Sequence, residues 1–350
     1  MAIEFQQLDG QPRLLMEAEL EPIQGTRFQP TGFPDLGAAE YSAPDANGNP
    51  TQMILVESAQ SVANRLEDVC WDEAADSPHP ALAGMPYVSV SLEGDRQAVS
   101  IREAHRLNTP YFTMGLDEHG VTLHNRILEH TGYDTGTEVD VSRFAKTVLI
   151  YDPNALLHGV FFSNIRDGRL RMKRSISGFI EACNVNPAAS GFVKNATFDP
   201  SGNLERTWID SLDNKEIQEL GYTPSNYKNR MKETVQNIIG SKTEYVAQKI
   251  TAYFNLDLAQ IRAYGLGESA ERFLITLALW KVRKFLDTGL RLRTACDLGV
   301  VGDLNVTRPE EFDVPSASEL ESDLPGLIEA CASDGLFADP PVTELTFQRT

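Results

Sequence analysis

Apolar residues alternate with polar residues in several short segments of the chain and recur at helical spacing in others. Alternation predicts strands at residues 13–20, 87–92, 146–151, 156–163, 243–253 and 290–298. Steps of three and four residues predict helices at 54–70 and 268–287, and a short helix is predicted at 176–183. Long turn-rich or polar segments separate these elements, at 24–50 and 186–234. This order predicts an α+β fold, with a ferredoxin-like sheet of split βαβ type covered by helices on one face.

The composition is that of an ordinary folded protein, with 41% hydrophobic and 23% charged residues among 350. A chain of this length forms a sizeable core without disulfide or metal support. The four scattered cysteines form no C-x-x-C pair, so the sequence favours a reducing compartment, the cytoplasm. The hydropathy of the chain predicts neither a membrane-spanning stretch nor a secretory leader.

The formal net charge of −19 argues against a nucleic-acid-binding protein, for which an excess of basic residues is typical. The charge is unevenly distributed, because residues 303–350 hold eleven acidic residues against two basic ones and are predicted to form a loosely attached C-terminal extension. In contrast, residues 165–174 and 281–293 each hold five basic residues and one acidic residue. Salt screens charges beyond about 8–10 Å, so local stripes determine the field at close range. The two stretches are therefore either a nucleic-acid surface or solvated faces.

One face of the helix predicted at 54–70 carries hydrogen-bonding side chains rather than ordinary solvent-facing charges. They share one stripe at four-residue spacing and are Gln60, Ser61, Asn64 and Arg65. Such a stripe can hold phosphates and sugar hydroxyls without reading base identity. The alternative is an ordinary solvated helix face.

Basic side chains near two predicted strands also indicate a surface for a nucleic-acid backbone. The first group surrounds a tight turn and comprises Arg166, Arg169, Arg171, Lys173 and Arg174. Phe161 and Phe162 precede it, and an aromatic side chain that stacks on a base contributes about 1–3 kcal/mol. Core packing is the alternative, and it is favoured for at least one of the two. On the last predicted strand, Arg291 and Arg293 share one face, where they either meet successive phosphates or face solvent.

The histidines give no sign of a metal site. His119, His124 and His130 lie close in sequence without the spacing of metal ligands. No motif pairs a nucleophile with a base, so neither a metal nor another cofactor is expected. His158 lies in a predicted strand, where it is either the general base of an RNA-cleaving enzyme or a structural or RNA-contacting residue.

Several longer strings together resemble one protein family. They lie between residues 14 and 298 and are RFQPTGFPDLG, LVESAQSVANRLE, IREAHRLNTPY, SRFAKTVLIYDPNALLHGVFF, GRLRMKRSISGFIEACNV and GLRLRTACDL. The chain resembles the CRISPR-associated RAMP superfamily, and within it the Cas-seven-type backbone subunit of the type I-G (formerly I-U) Cascade-like interference complex. The resemblance implies an RRM-like palm with inserted thumb and finger elements. Residues 1–302 would form this domain, with insertions near 95–133 and 186–234.

The resemblance further implies a subunit without catalytic activity that binds CRISPR RNA and polymerises head to tail along its spacer. Base pairing would then read the target DNA strand, as in other RNA-guided systems. Other implied partners are the large subunit and the foot or processing subunit of the complex, and no membrane is implied. The stripe and the basic residues named above would contact the RNA, together with His158 and with Arg27 in the turn-rich loop.

Two other functions stay open from the sequence. One is a RAMP endoribonuclease that processes precursor CRISPR RNA with His158 as its base. Backbone subunits of related type III complexes cleave RNA with an acidic residue on a loop, for which Asp35 and Asp45 are the candidates here. The other function is that of an acidic scaffold that binds only protein. Cleavage of precursor RNA that is lost in His158→Ala would identify the first, and binding to RNAs of unrelated sequence would exclude the second.

Overall fold

The central feature of the fold is a seven-stranded antiparallel sheet with the strand order β16-β17-β1-β15-β12-β5-β4. The computed structural model of the chain describes residues 5–33, 37–45, 47–92, 94–193, 207, 210–219 and 239–347. Its helices are α1 Ala59–Asp68, α2 Pro110–Thr113, α3 Leu123–Thr131, α4 Val141–Tyr151, α5 Pro153–His158, α6 Asn214–Glu219, α7 Leu258–Ala263, α8 Glu268–Asp287 and α9 Ala317–Ser333. Its strands are β1 Leu14–Pro22, β2 Gly32–Phe33, β3 Gly37–Ala38, β4 Glu40–Pro44, β5 Pro50–Glu57, β6 Trp71–Asp72, β7 Ser77–Pro78, β8 Tyr87–Leu92, β9 Asp95–Val99, β10 Val160–Phe161, β11 Arg171–Met172, β12 Ile176–Cys183, β13 Asn186–Val193, β14 Ile239–Val246, β15 Lys249–Leu256, β16 Arg291–Arg293, β17 Cys296–Arg308 and β18 Val342–Thr346.

Six of these elements form a ferredoxin-like βαββαβ unit, in the chain order β1, α1, β12, β15, α8, β17. Their strands lie in the spatial order β17-β1-β15-β12, so each βαβ crossover skips the strand between its two ends. Every neighbouring pair in this unit is antiparallel. The sequence-based prediction of an α+β, RRM-like fold is therefore confirmed.

Helices α1 and α8 cover one face of this sheet. Gly178 of β12 lies where α1 crosses the strand, and an added Cβ would come within 3.0 Å of a Val62 methyl carbon and 2.8 Å of the Phe254 ring. Phe254 in turn packs edge-on against Phe285 of α8, with ring centroids 6.2 Å apart. A side chain at position 178 would therefore push α1 away from the sheet.

Three predicted elements have the wrong type. Residues 176–183 form a central strand instead of a helix, because Ile176, Gly178, Ile180 and Ala182 alternate toward the core. Residues 146–151 belong to helix α4, which begins at the cap residue Asp140 and buries one face. Residues 156–163 are the end of helix α5 followed by the two-residue strand β10.

Other predictions have the right position and the wrong extent. The helix predicted at 54–70 begins only at Ala59, because Ser58 caps its first turn and the preceding apolar residues belong to β5. The turn-rich segment 24–50 contains β4, which forms a hairpin with β5. Residues 243–253 contain the end of β14 and the start of β15, which pair in different sheets, and residues 290–298 contain the tight hairpin of β16 and β17. The strand at 87–92 and the helix at 268–287 are confirmed to the residue.

The acidic C-terminal stretch is part of the fold, so the prediction of a loosely attached extension is wrong. Helix α9 buries Leu320, Leu324, Ile328 and Cys331 at helical spacing, and β18 pairs in parallel with β8. Glu321 accepts a hydrogen bond from the indole nitrogen of Trp280 on α8, at 3.2 Å. The acidic residues alternate with an apolar stripe, which the net charge of the stretch conceals.

The two predicted insertions differ in how far they are described. Residues 95–133 hold strand β9 and helices α2 and α3. Of residues 186–234, strand β13 pairs along its whole length with β14, while 194–206 and 220–234 lie outside the described residues, as does Asp35. Within the described ranges, no helix is long and apolar enough to cross a bilayer.

Candidate nucleic-acid interface

Six of the predicted residues are here called the α1 band. Gln60 and Asn64 lie on the exposed side of α1, Arg174 and the backbone of Arg291 bond to residues of this helix, and Arg171 and Lys173 precede Arg174 in the sequence by three residues and by one. Helix α1 has ten residues and is about 15 Å long. Its opposite side buries Val62, Ala63 and Leu66 against the sheet. This packing fixes the side of the helix that faces solvent.

The N-terminal end of the band is a chain of hydrogen bonds. The Arg174 guanidinium donates to the side-chain oxygen of Gln60 and to the carbonyl of Ala59, the latter at 3.4 Å. The Gln60 amide nitrogen donates to the Asn64 side-chain oxygen at 3.0 Å. Partial burial lowers the pKa of Arg174, and the nearby Arg106 guanidinium lowers it further. This series of hydrogen bonds holds the polar side chains in place along the helix surface.

Two exposed cations extend this end of the band. Arg171 is the first residue of strand β11 and Lys173 directly follows the strand. Within the described ranges, neither side chain has a hydrogen bond or an ion pair. Arg171 lies directly opposite Phe161 in the β10–β11 pair, and the Phe161 side chain is 51% exposed. Its neighbour Phe162 is buried against Phe144, with ring centroids 5.9 Å apart. One of the two phenylalanines is thus available to a ligand and the other belongs to the core.

A cavity of about 720 Å³ lies beside these cations. Basic, amide and hydroxyl residues line it together with Phe161, and none of its lining residues in the described part of the chain is Asp or Glu. The polar lining residues are His105, Arg106, Asn108, His158, Ser163, Asn164, Lys173 and Arg174. Its volume is within the range of small-molecule sites. A phosphate or sugar at this end of the band would therefore meet donors without facing a carboxylate in the cavity wall.

The buried residue Arg106 holds two walls of this cavity together. Its guanidinium makes two bonds of 2.6 Å with the Glu67 carboxylate and donates to the carbonyl of Gly159 at 3.1 Å. The backbone of Arg106 is in the left-handed region, with φ of 49°. Three hydrogen bonds thus stabilise an unfavourable backbone conformation at the edge of the cavity.

Three other predicted contact residues bind a buried carboxylate. Glu57 is fully buried, and it accepts from the Ser61 hydroxyl and from Arg65 Nε at 2.9 Å, and forms an ion pair with Arg293. The remaining nitrogens of Arg65 donate to the carbonyls of Arg291 and Leu292. Burial lowers the pKa of the Arg65 guanidinium and of the Arg293 guanidinium. This cluster joins α1 to strand β16. Its hydrogen bonds and ion pairs use the side chains of Ser61, Arg65 and Arg293, which were predicted to bind RNA.

Four of the predicted arginines lie close to acidic side chains. Arg169 Nε lies 2.9 Å from Asp167 Oδ2 and 3.0 Å from the Tyr133 hydroxyl. Arg166 lies 3.8 Å from Asp134, and Arg27 lies 3.3 Å from Glu244. Arg291, at the C-terminal end of the band, is 79% exposed in side chain and lies 3.7 Å from Asp297. The structure therefore brings Arg174 into contact with α1, and Lys173 lines the same cavity as Arg174, whereas Arg27, Arg166 and Arg169 bind acidic partners elsewhere.

His158 is one of the residues that line the cavity, but its side chain has no exposed surface, so it is not available for contact with a strand that passes over the surface. Its Nε2 lies 3.0 Å from the Lys281 ammonium, and its Nδ1 lies 3.9 Å from Glu67. Burial holds its pKa well below the ordinary value, and the Lys281 charge contributes in the same direction. The sequence provided no sign of this network, because Lys281 follows His158 by 123 residues.

The sequence does contain signals for some residues of the site that were not predicted from it. Glu57, Ser61 and Arg65 follow each other at four-residue spacing, which is the spacing of interacting side chains at the start of a helix. The segment 101–108, which supplies His105 and Asn108 to the cavity, lies in one of the strings that carry the family resemblance. Among the described residues, no group of three or more His, Cys, Asp or Glu side chains is arranged to hold a metal ion.

Comparison with known proteins agrees with the resemblance seen in the sequence. A family model described as "CRISPR-associated protein GSU0053 (Cas_GSU0053)" matches residues 14–187, which include α1, β10, β11 and β12. No curated protein matches the chain. Among solved structures, a chain titled "CRISPR RNA-guided surveillance complex, pre-nicking" aligns over 92% of this chain and 89% of its own length. It is 12% identical, with a TM-score of 0.33, so the fold assignment rests on the strand order described above.

Proposed function

The chain belongs to the GSU0053 family of CRISPR-associated proteins, and from this premise we propose that it is a guide-RNA-binding backbone subunit without catalytic activity. In this proposal it belongs to a Cascade-like type I-G complex, in which several copies follow one another along the spacer of a CRISPR RNA. The α1 band grips the sugar-phosphate chain and leaves the bases to pair with target DNA.

The single observation that carries the proposal is a pair of unpartnered cations on the segment that ends in Arg174, the residue that bonds to the amide-rich face of α1. Arg171 and Lys173 have no acidic partner among the described residues, whereas Arg65, Arg169 and Arg293 do. Flexible cations attract phosphates of any sequence. Side chains such as Gln60 and Asn64 accept from or donate to phosphates and ribose hydroxyls without reading a base edge. Such a surface suits a protein that must hold guides of unrelated sequence.

The net charge of −19 is compatible with this proposal. The acidic residues of α9 lie on a helix that packs against α8, and none of the residues of α9 lines the cavity beside the band. Charges more than a Debye length away are screened at physiological salt, so the local cations dominate at the band. An acidic exterior also reduces binding of stray nucleic acid elsewhere on the surface.

The rival function, an endoribonuclease that uses His158, is not supported by the position of that side chain. A general base must come within about 2.6–3.2 Å of the hydroxyl that it deprotonates, directly or through one water. The His158 side chain is fully buried and already contacts Lys281. Asp45 accepts from the backbone nitrogens of Asn47 and Asn49, each at 2.8 Å, in the turn between β4 and β5. We therefore keep the non-catalytic function.

The proposal is tested by expressing the full chain with a CRISPR array of several unrelated spacers and its neighbouring genes. We expect guide RNAs of every spacer to co-purify with the chain, in amounts that do not depend on spacer sequence. Recovery of the chain without RNA, as an acidic scaffold would give, contradicts the proposal. Incubation with labelled precursor RNA provides the second readout, since specific cleavage that is lost in His158→Ala would identify the endoribonuclease instead.

A further inference from the structure

The face of the central sheet that α1 and α8 do not cover is here called the open face. In the register of the sheet, Glu17 of β1, Tyr253 of β15 and Phe179 of β12 lie directly opposite one another. Their core-facing neighbours Ala18 and Phe254 point to the helices. Side chains alternate along each strand, so the open face includes Glu17, Glu19, Glu21, Phe179, Glu181, Lys249 and Tyr253, with Tyr41 at its edge.

Aromatic rings stand at the centre of the open face and remain accessible. The rings of Phe179 and Tyr253 are stacked, with centroids 5.1 Å apart and planes inclined by 26°. Phe179 is 36% exposed and Tyr41 is 38% exposed, although both are large side chains on a sheet. Exposed aromatic groups on a sheet face are typical of an interaction surface.

Carboxylates surround the rings. Four glutamates, at positions 17, 19, 21 and 181, share the face with two cations. Lys249 lies 3.6 Å from Glu19, and the exposed Arg308 lies opposite Leu15 in the register of β1 and β17. The Tyr41 hydroxyl bonds to the Glu181 carboxylate; burial first, and then this bond, raise the pKa of Tyr41. One carboxylate is thus oriented beside the exposed rings.

This charge pattern opposes nucleic acid on the open face. In RRM domains the corresponding sheet face stacks bases on aromatic residues, and basic neighbours attract the phosphates. Here the charges beside the rings are of the opposite sign. A strand that stacked on Phe179 would bring its phosphates close to Glu17 and Glu181, well within a Debye length of about 8 Å.

An arginine side chain fits the same arrangement. A guanidinium group stacks on aromatic rings and at the same time forms paired hydrogen bonds with a carboxylate. Phe179 and Glu181 are two residues apart on one strand, and Glu17 lies beyond Tyr253 in the same row. We propose that the open face is a docking surface for an arginine-bearing segment of a partner protein. This surface is separate from the α1 band, so it does not depend on the proposed RNA-binding function.

The experiment measures binding of the full chain to a labelled peptide of ten arginines and to a peptide of ten lysines. Because only the guanidinium stacks well, we expect tighter binding of the arginine peptide. Phe179→Ala should weaken arginine binding roughly three- to fivefold, the size of one exposed cation–π contact, and should remove the preference over lysine. Glu17→Gln with Glu181→Gln should weaken both peptides and keeps the shape of the side chains.

Two variants outside the open face are the matched controls. Phe161→Ala removes an exposed aromatic side chain of the α1 region, and Glu310→Gln with Glu311→Gln neutralises two exposed acids after β17. Both should bind the arginine peptide as the unchanged chain does. The proposal is overturned if neither peptide binds or if Phe179→Ala binds the arginine peptide normally. It is also overturned if Glu310→Gln with Glu311→Gln weakens binding of the arginine peptide as much as Glu17→Gln with Glu181→Gln does. It is also overturned if Phe179→Ala lowers the affinity for single-stranded RNA, since the open face would then be a nucleic-acid surface.

Discussion

Arg65 Nε lies 2.9 Å from Oε1 of the fully buried Glu57, and this contact makes Arg65 a structural residue. The sequence alone predicted that Arg65→Ala and Arg171→Ala would both weaken RNA binding, about equally for RNAs of all sequences. The structure separates them, because Arg65 uses its nitrogens within the protein and Arg171 does not.

We therefore predict that Arg65→Ala destabilises the fold, by an amount on the order of 3 kcal/mol, because a buried carboxylate loses one of its two cations. Arg171→Ala should change the free energy of unfolding by less than about 0.5 kcal/mol, as is usual for surface positions. Urea unfolding of both variants measures the difference. Equal stability of the two variants would show that Glu57 does not depend on Arg65.

Substitution of Phe161 should affect RNA binding, and substitution of its neighbour Phe162 should affect stability. Phe161→Ala should weaken binding to single-stranded RNA by about 1–3 kcal/mol, because it removes an exposed ring beside the cations, with little change in unfolding. Phe162→Ala should instead cost about 3–5 kcal/mol of stability, because it removes a buried ring. Fluorescence anisotropy and urea unfolding provide the two readouts. An unchanged RNA affinity in Phe161→Ala would remove this ring from the interface.

Asp152 should make stability depend on pH. Burial raises its pKa from 3.8 to about 6, a hydrogen bond from Ser100 opposes the shift, and the Glu67 charge adds to it. The folded chain thus binds this proton more tightly than the unfolded chain. The contribution of Asp152 to stability is therefore greatest below pH 3.8 and is lost as the pH rises toward 6.

Asp152→Asn keeps the side-chain oxygen that caps α5 and removes the charge. We expect the variant to be more stable than the original chain at pH 7.5, by up to roughly 3 kcal/mol, and the advantage to disappear near pH 4. The free energy of unfolding of the variant and of the original chain, at pH 7.5 and at about pH 4, measures this difference. Asp140→Asn, at the exposed cap of α4, is the control for the capping contact. An advantage of the same size at both pH values would contradict the burial of an ionised Asp152.

Gly178 should not tolerate a side chain. In Gly178→Ala the new Cβ would lie 2.9 Å from the carbonyl oxygen of Tyr253 and 3.0 Å from Val62, so we expect a loss of about 1–3 kcal/mol. Gly326→Ala in α9 is the matched control, because nothing lies within 4 Å of its added Cβ. That variant should gain about 0.5–1 kcal/mol from helix propensity. Thermal unfolding compares the two, and a neutral Gly178→Ala would mean that α1 packs less closely on β12.

Long, strongly periodic elements of the fold were predictable from the sequence, and short apolar ones were not. Helix α8 has an uninterrupted apolar stripe over twenty residues and glycines on both sides, so its bounds were predicted correctly. Strand β12 has only eight residues, and its pattern suits a helix face nearly as well as a buried strand. Its type depends on the neighbours β5 and β15, whose pairing no local pattern reveals.

The positions of site residues on one strand or helix were predictable from the sequence, and their contacts with distant residues were not. The alternation around β11 placed Arg171 and Lys173 on an accessible strand, and four-residue spacing placed Gln60 and Asn64 on one helix face. The role of Arg293 was not predictable, because its partner Glu57 precedes it by 236 residues. The burial of His158 depends in the same way on distant residues of α1 and α8.

The central claim is that the α1 band holds single-stranded RNA of any sequence through Arg171 and Lys173. The most direct measurement is the affinity of the double variant Arg171→Ala/Lys173→Ala for several unrelated RNAs across a range of salt concentrations. Lys146→Ala/Lys215→Ala, which removes the same charge from exposed positions on α4 and α6, is the control. The account predicts that the double variant binds every RNA more weakly, with a slope of log affinity against log salt that is shallower by about 1.4, or 0.7 for each phosphate that is no longer neutralised. An unchanged slope, or an equal change in the control variant, would contradict it.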